Sequence, residues 1–491
     1  MKILMVAPEV VPFSKVGGLA DVAGALPLEL QKMGHDVRII CPKFGFMEHG
    51  EDWKVREEPL HIYLGREVRF GQVWETTLPD GKTPVYLIEH DEYFDVPTVY
   101  SSDYREYERE GYRFALFSRA SLDLCHYLDW IPDVIHCHDW TTGLIPAHLN
   151  TREINHPLGK AATVLTIHNL QFQGIYHIDV LAFSGLPQSL FKADGLECFG
   201  RVNYMKGAIY HSQKVTTVSP TYAEEIKTPE HGFGLQNTLS FKASDLIGVV
   251  NGVDLTEWNP KTDKHIPAPF DRENMEGKKL AKAELQKAFG LEIAPDKPLF
   301  VMVSRMFAQK GLDVLLQTAP KVLAEMEVQF AIVGSGDAQL EQGFSDLAGR
   351  YPGKFGTYIG YNNQRAHLTY AGGDFILMPS RFEPCGLSQM YAMTYGTLPV
   401  VRSTGGLVDT VEQYEEGIAT GTGFRFEHLN PEALYYTIGW ACSTYYDRPE
   451  EFKRLRQNAM NQDFSWEKPA KKYEEIYQWA YEARNGALSG A

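Results

Sequence analysis

Short uninterrupted apolar runs, each closed by a polar or glycine-bearing turn, recur along the chain and alternate with stretches of helical periodicity. Lys2–Ala7 is the first such run. Leu19, Val22, Ala23, Leu26, Leu30 and Met33 then recur at helical spacing, and Asp36–Cys41 (DVRIIC) is a second run. Continuous apolar runs suit parallel strands buried on both faces, so the order strand, glycine loop, helix, strand predicts a βαβ unit. Pro27 within the helix predicts a kink, and Gly34 suits the helix C-terminus. DVIHCH, ATVLTIH and KVTTVSP continue the alternation, the last followed by a helix at Tyr222–Ile226.

From Gly252 to Pro298 the pattern lapses. NPKTDKHIPAPFDREN is polar and proline-bearing and reads as a linker. A Lys/Ala-rich helix near Lys278–Phe289 follows, and the alternation restarts. PLFVMVS, QFAIVG, FGTYIG, FILMPS and LPVVR read as strands, and GLDVLLQTAPKVL as a helix. Tyr473, Ile476, Tyr477, Ala480 and Tyr481 form one apolar stripe of a last helix, with Ser465 suited to its N-cap. The pattern therefore predicts two doubly wound α/β domains, as the length of 491 residues also suggests.

Composition narrows the partners. The net charge of −16 argues against nucleic acid and against an anionic membrane surface, so an anionic ligand would need a locally basic pocket. No apolar run is long enough to span a membrane. The opening MKILMVAPEVVPF is broken by Glu9 and prolines and reads as a buried strand rather than a signal segment. Six cysteines without metal or redox spacing fit reduced thiols in a cytoplasm.

Several strand ends carry candidate chemistry. SKVGGLADV (14–22) and RSTGGLVDTV (402–411) each follow a strand and open a helix, where backbone N–H groups can meet an anion. Neither is a dinucleotide fingerprint. SRMFAQKG (304–311) puts Arg305 and Lys310 at the carboxyl edge of a strand, where open α/β sheets bind ligands, and two cations there suit a diphosphate. In SRFEPCGLSQ (380–389), Pro384 forces Glu383 into an extended backbone and Gly386 opens a helix. HCHDWTTG (136–143) sets His136, His138 and Asp139 at a strand end, with no third metal ligand at suitable spacing nearby. IHNLQFQG (167–174) does the same for His168. Tyr93, Phe94, Tyr100, Tyr104, Tyr107, Tyr112 and Phe114 crowd one stretch, where rings can stack on sugars but more often pack against each other.

Taken together, KVGGLADV, HCHDWTTGLIP, TIHNLQFQG, VSPTYAEEI, NGVD, SRMFAQKGLD, VGSGD, SRFEPCGLSQMYAMTYGTLPVVRSTGGLVDTV and FSWE resemble the bacterial glycogen synthases, relatives of plant starch synthase. The resemblance runs in order from Lys15 to Glu467, with small departures at Val16 and Gln171–Gln173. It implies the GT-B architecture, in which two Rossmann-like domains face an interdomain cleft. Residues 1–250 would form the acceptor-side domain, completed by a C-terminal helix at about 468–491, and residues 251–467 the nucleotide-sugar side.

The activity implied is retaining transfer of glucose from ADP-glucose to the non-reducing end of an α-1,4-glucan in the cytoplasm, with no cofactor and no metal. The resemblance places Lys15, Gly17, Gly18, Arg305, Lys310, Glu383, Cys385, Gly386, Leu387, Thr404 and Gly405 on the nucleotide sugar. It makes Glu383, His168, Asp139, Arg305 and Lys310 the catalytic set and puts Asp21 and Tyr93 on the acceptor path. Two alternatives stay open from residues alone. One is the same reaction with UDP-glucose, since no residue here reads adenine over uracil. The other is a glucan phosphorylase-type enzyme carrying pyridoxal phosphate.

Overall fold

The computed structural model describes residues 1–101 and 104–486; the side chains of Tyr104 and Arg105 and the residues beyond 486 lie outside the described part. The chain divides into two compact units. One is Met1–Gly252 with Trp466–Ala491, the other Val253–Ser465.

In the first unit the parallel strands, in chain order, are Lys2–Val6, Asp36–Pro42, Pro84–Glu89, Val134–His138, Ala162–Ile167, Lys214–Thr217 and Leu246–Gly248. Their order across the sheet is 3-2-1-4-5-6-7, and the antiparallel strands Val68–Thr77 and Lys54–Val55 extend the third-strand edge. In the second unit Leu299–Val303, Gln329–Gly334, Phe355–Ile359, Phe375–Met378, Leu398–Arg402 and Phe424–Phe426 are all parallel, in the order 3-2-1-4-5-6. Both sheets thus carry the Rossmann order, which reverses between strands one and four and opens a crevice at their carboxyl ends. Val134–His138 and Ala162–Ile167 are buried along their whole length, as strands covered on both faces must be.

The helix Gly18–Lys32 continues through Pro27 as one element. It ends in a Schellman turn: Gly34, at φ +93°, donates its N–H to the Gln31 carbonyl, and His35 to that of Leu30. The last helix, Glu467–Asn485, buries Tyr473, Ile476, Tyr477 and Ala480 in the core of the first unit. Its N-cap position is Trp466, not Ser465, and no side chain caps it. Trp466 is nearly buried and packs over Gly252, so burial of an indole sets this helix start where a polar cap was expected.

The stretch read as a linker is instead packed within the second unit. Trp258 and Phe270 are buried, and Trp258 stacks on His367 at 3.9 Å and on Tyr391 at 4.1 Å. Its polar residues mislead because they serve the turns: Asp263 accepts from His367 at 2.8 Å and from the Tyr395 hydroxyl at 2.5 Å. All six cysteines are free thiols. Among the described residues no helix is long and apolar enough to cross a membrane.

Candidate active site

In the second unit the loop after strand one and the loop after strand four meet at the switch point. Lys310 Nζ donates to both oxygens of Glu383, at 2.9 and 2.7 Å. Ser380 Oγ donates to the same carboxylate at 2.9 Å. Glu383 is buried, while Lys310 keeps 17 % of its side chain exposed, so the ammonium faces the crevice from a fixed carboxylate base. The loops are locked by backbone as well: Arg381 N–H donates to the Gln309 carbonyl at 2.8 Å, and Arg381 grips Asp313 with two 2.7 Å bonds. Arg305 is exposed, its guanidinium 5.6 Å from the Phe307 ring centre.

The second Gly-Gly-Leu lies against this loop pair. Gly406 N–H donates to the Glu383 carbonyl at 3.0 Å, and a β-carbon at 406 would collide with the Cys385 backbone. Gly405 has φ +45° and ψ −132°, a conformation essentially restricted to glycine. Gly386 is also left-handed, at φ +75°. The helix expected to start there begins two residues later, at Ser388, with Leu387 at its N-cap. A left-handed residue cannot be the first turn of a right-handed helix.

In the first unit the equivalent crevice is lined differently. The buried Glu9 carboxylate accepts from the N–H groups of Val16 and Gly17, the latter at 3.1 Å, and from the Tyr100 hydroxyl at 3.3 Å. Burial outweighs these bonds and lifts its pKa to about 7. Gly17 is the N-cap of the helix Gly18–Lys32, and Lys15 pairs with Asp21 at 2.7 Å.

At the end of strand four, Asp139 sits at φ +56°, ψ −172°, a region that side chains other than glycine's hardly populate. It is pinned there: its N–H donates to the Thr166 carbonyl at 2.9 Å and its Oδ1 accepts from His168 N–H at 2.7 Å. Burial raises its pKa to about 8, against the backbone N–H groups of His168 and Asn169 and with help from Glu9. Strain of this kind, held by the surrounding structure, clusters at functional sites.

His168 Nε2 meets His138 Nδ1 at 3.0 Å. Burial, reinforced by His138, holds the His168 pKa well below the usual range, so its ring is neutral. His136 spends both nitrogens within the core, on the Tyr477 hydroxyl at 2.9 Å and Thr166 Oγ1 at 2.6 Å, which leaves none for a metal.

The two Gly-Gly-Leu loops therefore open helices on different strands, the first after strand one of its sheet and the second after strand five. The fold counterpart of the first is the Arg305–Lys310 loop. Tyr93 is buried, its ring set between His90 and Phe183, and its carbonyl accepts from Arg113 at 2.8 Å. Little of it is left to stack on a sugar. Phe94 and Phe114 are core residues too, so that aromatic stretch is mainly packing. Tyr104 lies outside the described side chains. Glu9 and Ser380 escaped sequence reading: one lay in an apolar run, the other is an ordinary loop serine.

The chain is 43% identical to a glycogen synthase of Geobacter metallireducens over 490 residues, 99% of this chain and 97% of that one. It is 41% identical to a glycogen synthase of Treponema denticola, covering 99% of this chain and all of that one. The chain belongs to the glycogen and starch synthase family. Family models agree: a starch synthase catalytic domain matches residues 2–241, and a glycosyl transferases group 1 domain matches residues 297–442. The catalytic domain of starch synthase IV from Arabidopsis thaliana, solved with ADP and acarbose, superposes with a TM-score of 0.90 at 33% identity, covering 98% of this chain and 99% of that one. A sucrose-phosphate synthase from Thermosynechococcus elongatus shares the fold at 18% identity, with a TM-score of 0.61. The protein is a retaining glycosyltransferase of the glycogen synthase type, with the two Rossmann-like domains of the GT-B class.

Proposed function

We propose that this glycogen synthase takes its glucose from ADP-glucose and adds it to the non-reducing end of an α-1,4-glucan, in the cytoplasm. The observation that carries this reading is the Lys310–Glu383–Ser380 cluster at the switch point of the second unit, with Arg305 in the same loop. Breaking the anomeric C–O bond leaves a diphosphate anion and an oxocarbenium-like sugar. Fixed cations aimed at the departing diphosphate act where charge grows, and so lower the barrier.

In this reading Lys310 and Arg305 neutralise the leaving group, with Lys15 reaching its distal phosphate. The backbone of Gly17, Gly18, Cys385, Gly386, Leu387, Thr404 and Gly405 lines the donor. Glu383 orients Lys310. His168, neutral and with Nδ1 left over from its bond to His138, and Asp139 take the glucose hydroxyls. Asp21 and the hydroxyl end of Tyr93 serve the acceptor side. The departing phosphate itself accepts the acceptor's proton on the face from which it leaves, which retains configuration.

ADP as the nucleotide is supported by the starch synthase structure solved with ADP. The test is transfer of radiolabelled glucose to glycogen from ADP-glucose and UDP-glucose side by side. Faster transfer from UDP-glucose refutes the donor assignment. Transfer from neither, with a visible cofactor-imine absorbance, would mark a phosphorylase-type enzyme.

A further inference from the structure

At the edge of the first sheet opposite the crevice, three side chains converge. The helix Tyr104–Tyr127 leads into strand four, and the segment after the helix Ile145–Leu149 leads into strand five, so both approach the amino ends of the strands. His126 lies in the last turn of the first helix. Glu153 and His156 lie in a tight turn closed by His156 N–H donating to the Glu153 carbonyl at 2.8 Å. Glu153 uses its two oxygens separately: Oε1 accepts from Arg119 at 2.7 Å, and Oε2 stands 3.1 Å from His126 Nε2 and 3.9 Å from His156 Nδ1. The ligand atoms of the three residues lie within 4.8 Å of one another.

We propose that His126, Glu153 and His156 form a binding site for a borderline divalent cation, Zn2+ or Co2+. Two imidazole nitrogens and one carboxylate oxygen are a donor set such ions favour. Bonds of about 2.1 Å put neighbouring tetrahedral ligand atoms about 3.4 Å apart, which lies between the 3.1 and 3.9 Å spacings found here. Arg119 holds Glu153 from behind and is itself held by Asp123, to which its Nε donates at 3.0 Å. Arg119 thus fixes Oε1 and leaves Oε2 for the ion. The negative end of the helix dipole at His126 favours the added charge. His126 and His156 are 30 % and 46 % exposed, so an ion can enter and water can fill its remaining positions. Two bonds oppose binding and must give way, which limits the affinity: Leu158 N–H donates to His156 Nδ1 at 3.1 Å, and the proton shared by His126 Nε2 and Glu153 Oε2 across 3.1 Å must leave. With the site at the far edge of the sheet, its occupation ties the helix end to the turn and leaves glucose transfer unchanged.

The test is titration of the metal-stripped full-length chain with Co2+, followed by visible absorption, and then displacement by Zn2+. One Co2+ per chain with ligand-field bands, lost in the His126→Gln/His156→Gln double variant, is the expected result. His156→Gln alone, at a half-exposed turn position, should weaken binding at least tenfold with an unchanged circular dichroism spectrum. It keeps the question open to a decision should the double variant not fold. Absence of Co2+ binding by the unaltered chain overturns the proposal. So does a loss of less than tenfold in the single variant, or unchanged stoichiometry in a folded double variant.

Discussion

Lys15 and Lys310 occupy matching places: each lies in the loop after strand one of its sheet, just ahead of the first helix. Their partners differ. Lys15 pairs with Asp21, six residues away on that helix, with 44 % of its side chain exposed. Lys310 reaches across the switch point to Glu383, from the strand-four loop, and is 17 % exposed. The strand-four carboxylates differ in the same sense. Glu383 has a cation and a hydroxyl on it, whereas the Asp139 carboxyl, among the described residues, accepts from backbone N–H groups and rests in a strained backbone. One strand order thus supports two chemistries. The second unit presents a braced positive charge, suited to a diphosphate. The first presents neutral histidines and carboxyl groups that hold their protons near neutrality, suited to hydroxyls of a sugar.

The comparison predicts unequal lysines. Lys310→Ala should lower kcat by roughly 10²–10³, about 3–4 kcal/mol of transition-state stabilisation. Lys310→Arg should recover only part, since a planar fork does not replace a point charge. Lys15→Ala, removing an exposed and locally paired ammonium, should act mainly through donor KM. Steady-state kinetics with ADP-glucose varied at saturating glycogen separates these effects. An intact kcat in Lys310→Ala, with only KM raised, would mean uniform binding and end the assignment of a transition-state role.

Asp139 offers a sharper contrast between stability and activity. Its backbone conformation suits glycine alone, and such strain costs roughly 1–3 kcal/mol. Asp139→Gly should therefore raise the stability of the first unit by about that amount while removing the carboxyl group from the crevice and abolishing most transfer. Chemical denaturation read alongside activity checks it. A variant that is destabilised would show the strain to be fully compensated in place; a stabilised and active one would remove Asp139 from the site.

How much of this was legible beforehand follows burial. Strands covered on both faces announce themselves as apolar runs, and the strand ends bearing Arg305, Lys310, Glu383, Asp139 and His168 were found that way. Val68–Thr77 is amphipathic, buried only at alternate or scattered positions, and leaves no such run. The same blindness applies to Ser380, whose partner is fixed by the loop's turn, and to His126, whose companions lie 27 and 30 residues on. Glu9 was visible only as an interruption of an apolar segment. In the fold it is the acceptor that organises the glycine loop. Trp466 shows the converse: a polar neighbour suggested a cap, but burial of the larger ring decided the boundary.

The carboxyl groups of the first crevice make a pH prediction. Folding raises Glu9 from 4.5 to about 7 and Asp139 from 3.8 to about 8, both chiefly through burial. The folded chain then holds protons that the unfolded chain has already released, so their contribution to stability is fullest below pH 4 or so and falls as pH rises toward 8. Glu9→Gln keeps one acceptor oxygen and cannot ionise. It should flatten the part of this decline lying between the ordinary carboxylate range and neutrality. Denaturation midpoints measured across that range decide it; parallel curves for the two proteins would show that Glu9 does not titrate there.

The smallest effect comes from a matched pair of deletions, each removing one hydroxyl from one glutamate. Ser380→Ala takes a 2.9 Å donor from Glu383, and Tyr100→Phe takes a 3.3 Å donor from Glu9. The shorter bond, to a carboxylate that already holds a cation, positions the group proposed to act in the transition state. Its loss should lower kcat by about tenfold, roughly 1.4 kcal/mol, close to the lower end of the ~1.5–3 kcal/mol typical of a hydrogen bond to a charged group. Glu9 keeps the Val16 and Gly17 N–H groups, so Tyr100→Phe should change kcat by less than about threefold, roughly 0.6 kcal/mol. It should also raise the Glu9 pKa further, because the Tyr100 hydroxyl lowers it. The stability decline that Glu9→Gln abolishes should accordingly move to higher pH in Tyr100→Phe and stay where it is in Ser380→Ala. Equal losses of kcat in both variants, with no displacement of the stability curve, would mean that the two crevices do not divide the work as their chemistry suggests.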